Sequence, residues 1–456
     1  MTERPTNAAP TGRVPGRPGP TWARLPRLPS AIPPWLAGML FVIAAAPALA
    51  FGIGGIPHTA RVGLAAGGLS SLATVATSLV AGHAPYTPGV QGAVPFIYPP
   101  GMLPFLLPPL VAGTAHYVLA FAIEMLVIIL VAVPAVEAYR RREAPGQQAL
   151  GWSLLALLGA VGPLTLYRTD PAIGLLLVAA AIAWRQGNLT GSFLLVFAAG
   201  LIKDYAWVEL LPLAATQIRM ATQLAKPWPR RWWDALRPVV LGLLPTGAIL
   251  VAVEIWSAGG LLRSQLNNLA RGMEIESLPA TLGMLLVHVN GVVVSRGVLG
   301  SMQISGAGLH LAFLATVFAG LGVLVLVLVA WLCLKGVLSP GVALSATLGV
   351  AMIATPVLSP QYFDALLPCL CLAAAELGGM LGPYLLWSSL GLALLTQLEF
   401  PYLWTSILHL SLHGVLVLAL RNLLLVALVL VLLLTEYLRR RTAEASASRE
   451  TVRVAV

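Results

Sequence analysis

The run GAGLHLAFLATVFAGLGVLVLVLVAWLCL, residues 306–334, contains no Asp, Glu, Lys or Arg. A segment of that length and character fits a helix crossing a bilayer, for which about 20 apolar residues suffice. Lipid offers backbone amides and carbonyls no partners, so a spanning segment must satisfy them internally. Comparable apolar runs recur near 36–56, 114–138, 149–166, 171–186, 189–203, 205–218, 236–256, 340–357, 361–381, 383–398 and 413–437. The expected fold is therefore all-α and polytopic, with about twelve transmembrane helices, several of them short for a full crossing. Composition agrees: 58% of residues are hydrophobic, 10% are charged, and the mean hydropathy is +0.87. A soluble domain could not keep that much apolar surface from water. Cys333, Cys369 and Cys371 all lie in or beside apolar segments, which predicts packing roles rather than disulfides or a zinc site.

Basic residues near span ends are retained in the cytoplasm. With the N-terminus inside, Arg140 to Arg142, Arg185, the group from Arg219 to Arg237, Lys335 and Arg439 to Arg441 fall inside, whereas Arg61, Arg168, Lys203, Arg263, Arg271 and Arg296 fall outside. This bias explains the formal charge of +10 without nucleic acid, since basic loops beside anionic lipid are ordinary. Residues 1–35, rich in Pro, Gly and Arg, read as a disordered cytoplasmic tail, residues 36–438 as the membrane domain and 439–456 as a second cytoplasmic tail. Residues 57–113 form a large first external loop in this topology. Its Pro-rich stretch AVPFIYPPGMLPFLLPPL is apolar but broken by prolines, and irregular backbone at membrane depth is tolerated only where protein or a wet cavity covers it. YPPG is thus expected to line a cavity, with RVGLAAGGLSSLATVATSLVAG forming an interfacial helix beside it.

The same topology brings YRTD (167–170), IKDYAW (202–207), NNLARGMEIES (267–277), LSPQYFD (358–364) and LEFPY (398–402) to the outer face. Ionisable groups at helix ends in a membrane protein are costly unless paired or wet, and mark a functional site by default. One site would gather Arg168, Asp170, Lys203, Asp204, Arg271, Glu274, Glu276 and Asp364. The plainer alternative is a set of local pairs, Arg168 with Asp170, Lys203 with Asp204, and Arg271 with Glu274.

These motifs, in this order along most of Leu36–Leu381, resemble the integral-membrane glycosyltransferases of the GT-C class, above all the family 87 mannosyl- and arabinosyltransferases that use polyprenyl-phosphate sugars. On that resemblance Tyr98, Pro99 and Pro100 match the Tyr-Pro-Pro element closing the first external loop, and Pro85 with Tyr86 match its Pro-Tyr. Arg168 and Asp170 match an Arg-x-Asp pattern, Lys203 matches a lysine closing a small-residue helix, and Arg271, Glu276 and Ser277 match an Arg and Glu-Ser element. Ser359, Pro360, Gln361 and Tyr362 match a Ser-Pro-Gln-Tyr. The resemblance implies an inverting transferase moving a sugar from polyprenyl phosphate to a glycan or lipid acceptor. It would work at the outer face of a bacterial-type cytoplasmic membrane, with both termini inside. It also implies Tyr98, Pro99, Arg168, Lys203, Arg271, Gln361 and Tyr362 as substrate-binding residues.

Such transfer needs a carboxylate to take the acceptor proton and cations to hold the departing phosphate, for which the planar guanidinium is suited. A nucleotide-binding glycine loop is not needed and none is found. No cofactor or metal ligand is assigned, the partners being the bilayer, the lipid-linked donor and the acceptor, while a divalent ion bridging the phosphate stays open. GT-C enzymes carry an essential acid early in the first external loop, yet Phe51 to Ile123 contains no Asp or Glu. The expected base is then Asp170, Glu276 or Asp364, with His58 a weaker candidate. The alternative is a catalytically lost relative that binds lipid-linked sugar or scaffolds envelope assembly. Glu124, Glu254 and Glu376 lie deeper in apolar segments and receive no role, and Asn188 in NLT is read as incidental.

Overall fold

The computed structural model describes residues 28–29, 31–53, 68–86, 96–143, 150–223, 228–269, 271–286, 292–297, 300–306 and 310–454. His58, Arg61 and the tail before residue 28 lie outside them. The described chain is mostly helical, as expected, and helices occupy each of the anticipated apolar runs. Six are long and apolar enough to cross a membrane: Pro34–Phe51, Thr114–Arg141, Trp232–Trp256, Leu311–Leu334, Leu381–Tyr402 and Leu412–Arg439.

The helices are α1 (Pro34–Ile53), α2 (Leu69–Val80), α3 (Tyr117–Glu143), α4 (Leu150–Val161), α5 (Asp170–Arg185), α6 (Leu189–Ile202), α7 (Leu210–Gln223), α8 (Trp228–Trp256), α9 (Gly260–Leu269) and α10 (Leu278–Leu286). After a hairpin of β1 (Val292–Arg296) and β2 (Met302–Gly306) come α11 (Leu311–Leu334), α12 (Pro340–Ala354), α13 (Phe363–Leu377), α14 (Leu381–Gln397), α15 (Trp404–Leu408) and α16 (Leu412–Val454).

Burial separates a set of short helices from most of the long ones. The long helices expose side chains such as Leu244, Leu324, Val327 and Leu423, the surface lipid would cover. The short helices α4, α5, α6, α12 and α13 form the interior, whereas α2 and α9 bury only three residues each. Every residue of α4 except Trp152 is buried, as is every residue of α13 except Ala375 and Glu376. Small residues permit this packing: a Cβ on Gly159 would come within 2.7 Å of the Phe41 backbone, and one on Gly174 within 2.8 Å of the Ala365 carbonyl. A helix of 15 residues, such as α13, rises about 22 Å against about 30 Å of hydrocarbon. A core of such helices leaves a recess within a bundle walled by longer ones.

Helix ends meet in two sets. At one end Glu137 accepts from the Gly151 amide, Arg185 pairs with Glu376 at 3.5 Å, Ser339 donates to Glu436, and Arg439 donates to the Leu377 carbonyl. The ends carrying Thr165, Asp170, Lys203 and Asp364 meet at the other.

The Pro-rich stretch is not a failed span. Its described part forms 3₁₀ turns beginning at Pro100 and Pro108, Pro100–Phe105 and Pro108–Ala112, and a third turn, Thr114–His116, follows. Pro100 and Pro108 stand in first-turn positions, where a missing amide donor costs nothing. Gly101 is needed for contact: a Cβ there would lie 2.6 Å from the Leu201 backbone, just before Lys203. A Gly101→Val substitution is expected to cost about 1–3 kcal/mol in denaturant titration of the purified protein in mixed micelles. An unchanged midpoint would show that the turn is not seated on α6.

The hairpin departs from an all-α fold. Val292 to Val294 are β-branched and suit a strand, and Gly300, at φ 82°, turns the chain back. β1 and β2 pair antiparallel with Val294 opposite Ile304. Residues 273–275 add to the other edge of β2, since the Ile304 amide donates to Met273 and the Ile275 amide to Met302. A small second core of Met273, Ile275, Ile304, Trp404, Ile407 and Leu418 lies beneath.

Candidate functional site

Where the interior helices stop, the described residues enclose a cavity of about 530 Å³. Its walls come from α2, residues 96–102, the α4–α5 and α6–α7 junctions, the Arg271 loop, the hairpin turn, residues 359–362 and residues 400–408. Tyr98, Pro99, Arg168, Lys203, Arg271, Gln361 and Tyr362, the seven residues expected to bind substrate, all line it.

The first-loop wall is held from behind. Tyr86 donates to the Tyr98 carbonyl at 2.6 Å, Ser264 to the Phe96 carbonyl at 2.6 Å and Gln265 to the Ile97 carbonyl at 3.1 Å. The Tyr86 and Phe96 rings pack at 5.3 Å, and Phe96 packs edge-on against Tyr98 at 5.7 Å. Residues 96–99, leading into the Pro100–Phe105 turn, thus hold a defined course without regular secondary structure.

The floor is built around Lys203. Its ammonium donates to Asp170 Oδ2 at 2.5 Å, and Tyr205 donates to Oδ1 of the same carboxylate at 2.8 Å. The Tyr98 and Tyr362 rings lie 5.4 and 5.6 Å from Lys203 Nζ, within cation–π range. The local pairing of Lys203 with Asp204 expected as the plain alternative is therefore not formed. Asp170 opens α5 and Lys203 follows α6, so the antiparallel packing of these helices sets the two 33 positions apart in sequence but side by side in space. Arg271 does pair with Glu274, as that alternative expected.

The three acids expected as bases stand back from the cavity. Asp170 is fully buried and held by Lys203 and Tyr205. Asp364 is fully buried; its Oδ1 accepts from Thr165 at 2.7 Å, and it does not cap α13. Glu276 lies in the loop before α10 and is 5% exposed. Burial first, then the Glu399 and Glu274 charges, pushes its carboxyl well above the usual range, outweighing Arg421 and Arg271. None of the three lines the cavity.

Asp204 does. It is the one carboxylate among the lining residues, is solvent-exposed, and has no hydrogen bond or ion pair among the described residues. The cavity thus presents four cationic side chains, Arg168, Lys203, Arg271 and Arg296, and a single acid. Arg168 is half-buried and donates to the Tyr167 carbonyl at 2.9 Å, whereas Arg296, at the end of β1, is exposed. Phe400, Trp404 and Leu408 make the opposite wall apolar.

Sequence reasoning placed Asp204 among the outer charges but did not choose it as base, counted Arg296 only for orientation, carried Tyr205 and Glu399 inside the outer-face motifs without giving them a role, and missed Trp404 and Arg421. Arg421 carried a usable signal: an Arg-Asn pair inside an apolar span is a functional candidate by default. Of the remaining acids, Glu254 accepts from the Leu262 amide, Glu376 accepts from the Gly341 amide and pairs with Arg185, and Glu124 has a buried oxygen without a partner among the described residues. Asn188 caps α6 by accepting from the Gly191 amide at 2.9 Å. The three cysteines are buried and free. No family model matches this chain, and no curated protein or solved structure was found to be significantly similar to it.

Proposed function

We propose that the chain is a membrane glycosyltransferase of the GT-C type, moving a mannose- or arabinose-type sugar from polyprenyl phosphate to a glycan or lipid acceptor. The observation carrying this reading is the cavity itself, which joins four cationic side chains and one unpaired acid to aromatic and apolar walls. In this reading twelve helical segments cross the bilayer with both termini inside, and the cavity opens at the outer face of a bacterial-type cytoplasmic membrane. The meeting of helix ends in two sets supports such an arrangement, with Arg140, Arg185 and Arg439 at the end opposite the cavity.

In this reading Asp204 accepts the proton of the acceptor hydroxyl as its oxygen attacks the anomeric carbon from the face opposite the phosphate. The bond from that carbon to the phosphate oxygen breaks, and configuration inverts. The phosphodiester carries one negative charge and the departing polyprenyl phosphate approaches two, so stabilisation by cations must grow along the reaction. Arg168 and Arg296 are suited to that increase because a guanidinium donates two parallel bonds to phosphate. Lys203, already matched by Asp170, adds a fixed donor on the floor. The isoprenoid tail stays against apolar surface while the sugar meets its acceptor in a wet recess.

A second reading, a relative that binds lipid-linked sugar without transferring it, draws support from the first loop, which lacks an acid throughout Phe51–Ile123. The two readings part in one assay. Purified protein in detergent, given farnesyl-phosphate [¹⁴C]mannose or its arabinose counterpart and membrane glycolipid acceptors, is expected to yield labelled glycolipid and farnesyl phosphate in equal amounts. Saturable donor binding without product across the acceptor panel would favour the binder.

A further inference from the structure

Arg421 is the largest fully buried side chain among the described residues, and it sits ten positions into the membrane helix α16. Its guanidinium is divided among three segments. Nη1 pairs with Glu399 Oε2 at 2.5 Å, Nη2 donates to the Glu276 carbonyl at 2.6 Å, and the guanidinium carbon lies 4.9 Å from the Phe363 ring. Its neighbour Asn422 completes the contact by donating to the Glu276 carbonyl at 3.2 Å and to Thr281 at 2.8 Å, while accepting from Arg421. Each partner adjoins a cavity residue: Glu399 precedes Phe400, Glu276 follows Arg271 in the same loop, and Phe363 follows Tyr362.

We propose that Arg421 is a positioning residue for the cavity, holding the Arg271 loop, the Tyr362 turn and the Phe400–Trp404 wall in register from behind. A charge so placed has no reason to exist as a lipid contact, and its three partners come from segments that share no helix. The guanidinium fork suits the task because its donors diverge in one plane, which an ammonium cannot reproduce. Arg421 touches no cavity surface, so it acts through the walls, and its bearing on ligand affinity rests on the function proposed above.

The test compares wild type with Arg421→Lys and with the double variant Arg421→Met/Glu399→Gln, which removes both buried charges together. Hydrogen exchange is read at 271–277, 361–363 and 398–404, and at 151–161 as an interior control. In the double variant the first three segments are expected to exchange faster while 151–161 stays protected. In Arg421→Lys the pair with Glu399 persists and the Glu276 carbonyl keeps only its bond from Asn422, so 271–277 loosens, by less than in the double variant, while the other two segments stay protected. Binding of farnesyl phosphate by the double variant weakens roughly tenfold. Unchanged exchange in the wall segments, or an equal rise at 151–161, would overturn the proposal. Faster exchange at the walls in a protein whose wild type does not bind farnesyl phosphate would uphold the positioning and reject the lipid-phosphate reading.

Discussion

Lys203→Met is expected to destabilise the protein by about 3–5 kcal/mol, because it strands a buried carboxylate. Asp170 is fully buried, and its two oxygens accept from Lys203 and Tyr205. Removing the ammonium leaves one oxygen without its charged donor in a place water reaches poorly. The double variant Lys203→Met/Asp170→Asn, in which both charges are gone and Tyr205 still has an acceptor, is expected to recover most of that loss. Denaturant titration in mixed micelles reads both. A single variant as stable as wild type, or a double variant no better than the single, would mean that the ion pair is not what holds the α5–α6 end together. Pairing Lys203 with Asp204 predicts the reverse, rescue by Asp204→Asn, so the two double variants also test which carboxylate is the partner.

Asp204→Asn should leave stability unchanged within about 0.5 kcal/mol, as expected of an exposed side chain outside any network. On the proposed function it lowers kcat roughly 100- to 10,000-fold while donor affinity is kept, since the amide cannot take the acceptor proton. Asp170→Asn and Asp364→Asn act differently: both disturb buried hydrogen bonds, so their losses of activity accompany losses of stability. Should Asp204→Asn turn over at the wild-type rate while Glu276→Gln is inactive and folded, the base would be Glu276 and the cavity wall would have to open to admit an acceptor.

Much of this architecture was legible in the sequence because hydropathy and helix length report on the same physical demand. Segments such as 171–186 and 189–203 were short for a span, and they form the interior, where short helices leave the recess. The Pro-rich stretch was legible as a cavity wall through the cost of irregular backbone in lipid. The pairing of charges was not. Lys203 and Asp204 are adjacent, which suggested a local pair, but the 3₁₀ turn beginning at Asp204 sends that side chain into the cavity while Lys203 turns to α5. The hairpin was hidden by its valines, which serve a strand and an apolar helix equally. Arg421 was hidden by position, since the apolar run around it outweighs one charge in any hydropathy average, and its partners are more than twenty residues away in sequence.

Recognition of a lipid-linked phosphate by the cavity is tested most directly by farnesyl phosphate binding. Titration of wild type in detergent, set against farnesol and against an Arg168→Gln/Arg296→Gln variant, separates phosphate recognition from general attraction of an isoprenoid to a membrane protein. Saturable binding of the phosphate is expected, with at least about tenfold weaker binding of the alcohol and a comparable weakening in the double variant. Equal affinity for phosphate and alcohol, or binding indifferent to the two arginines, would contradict it.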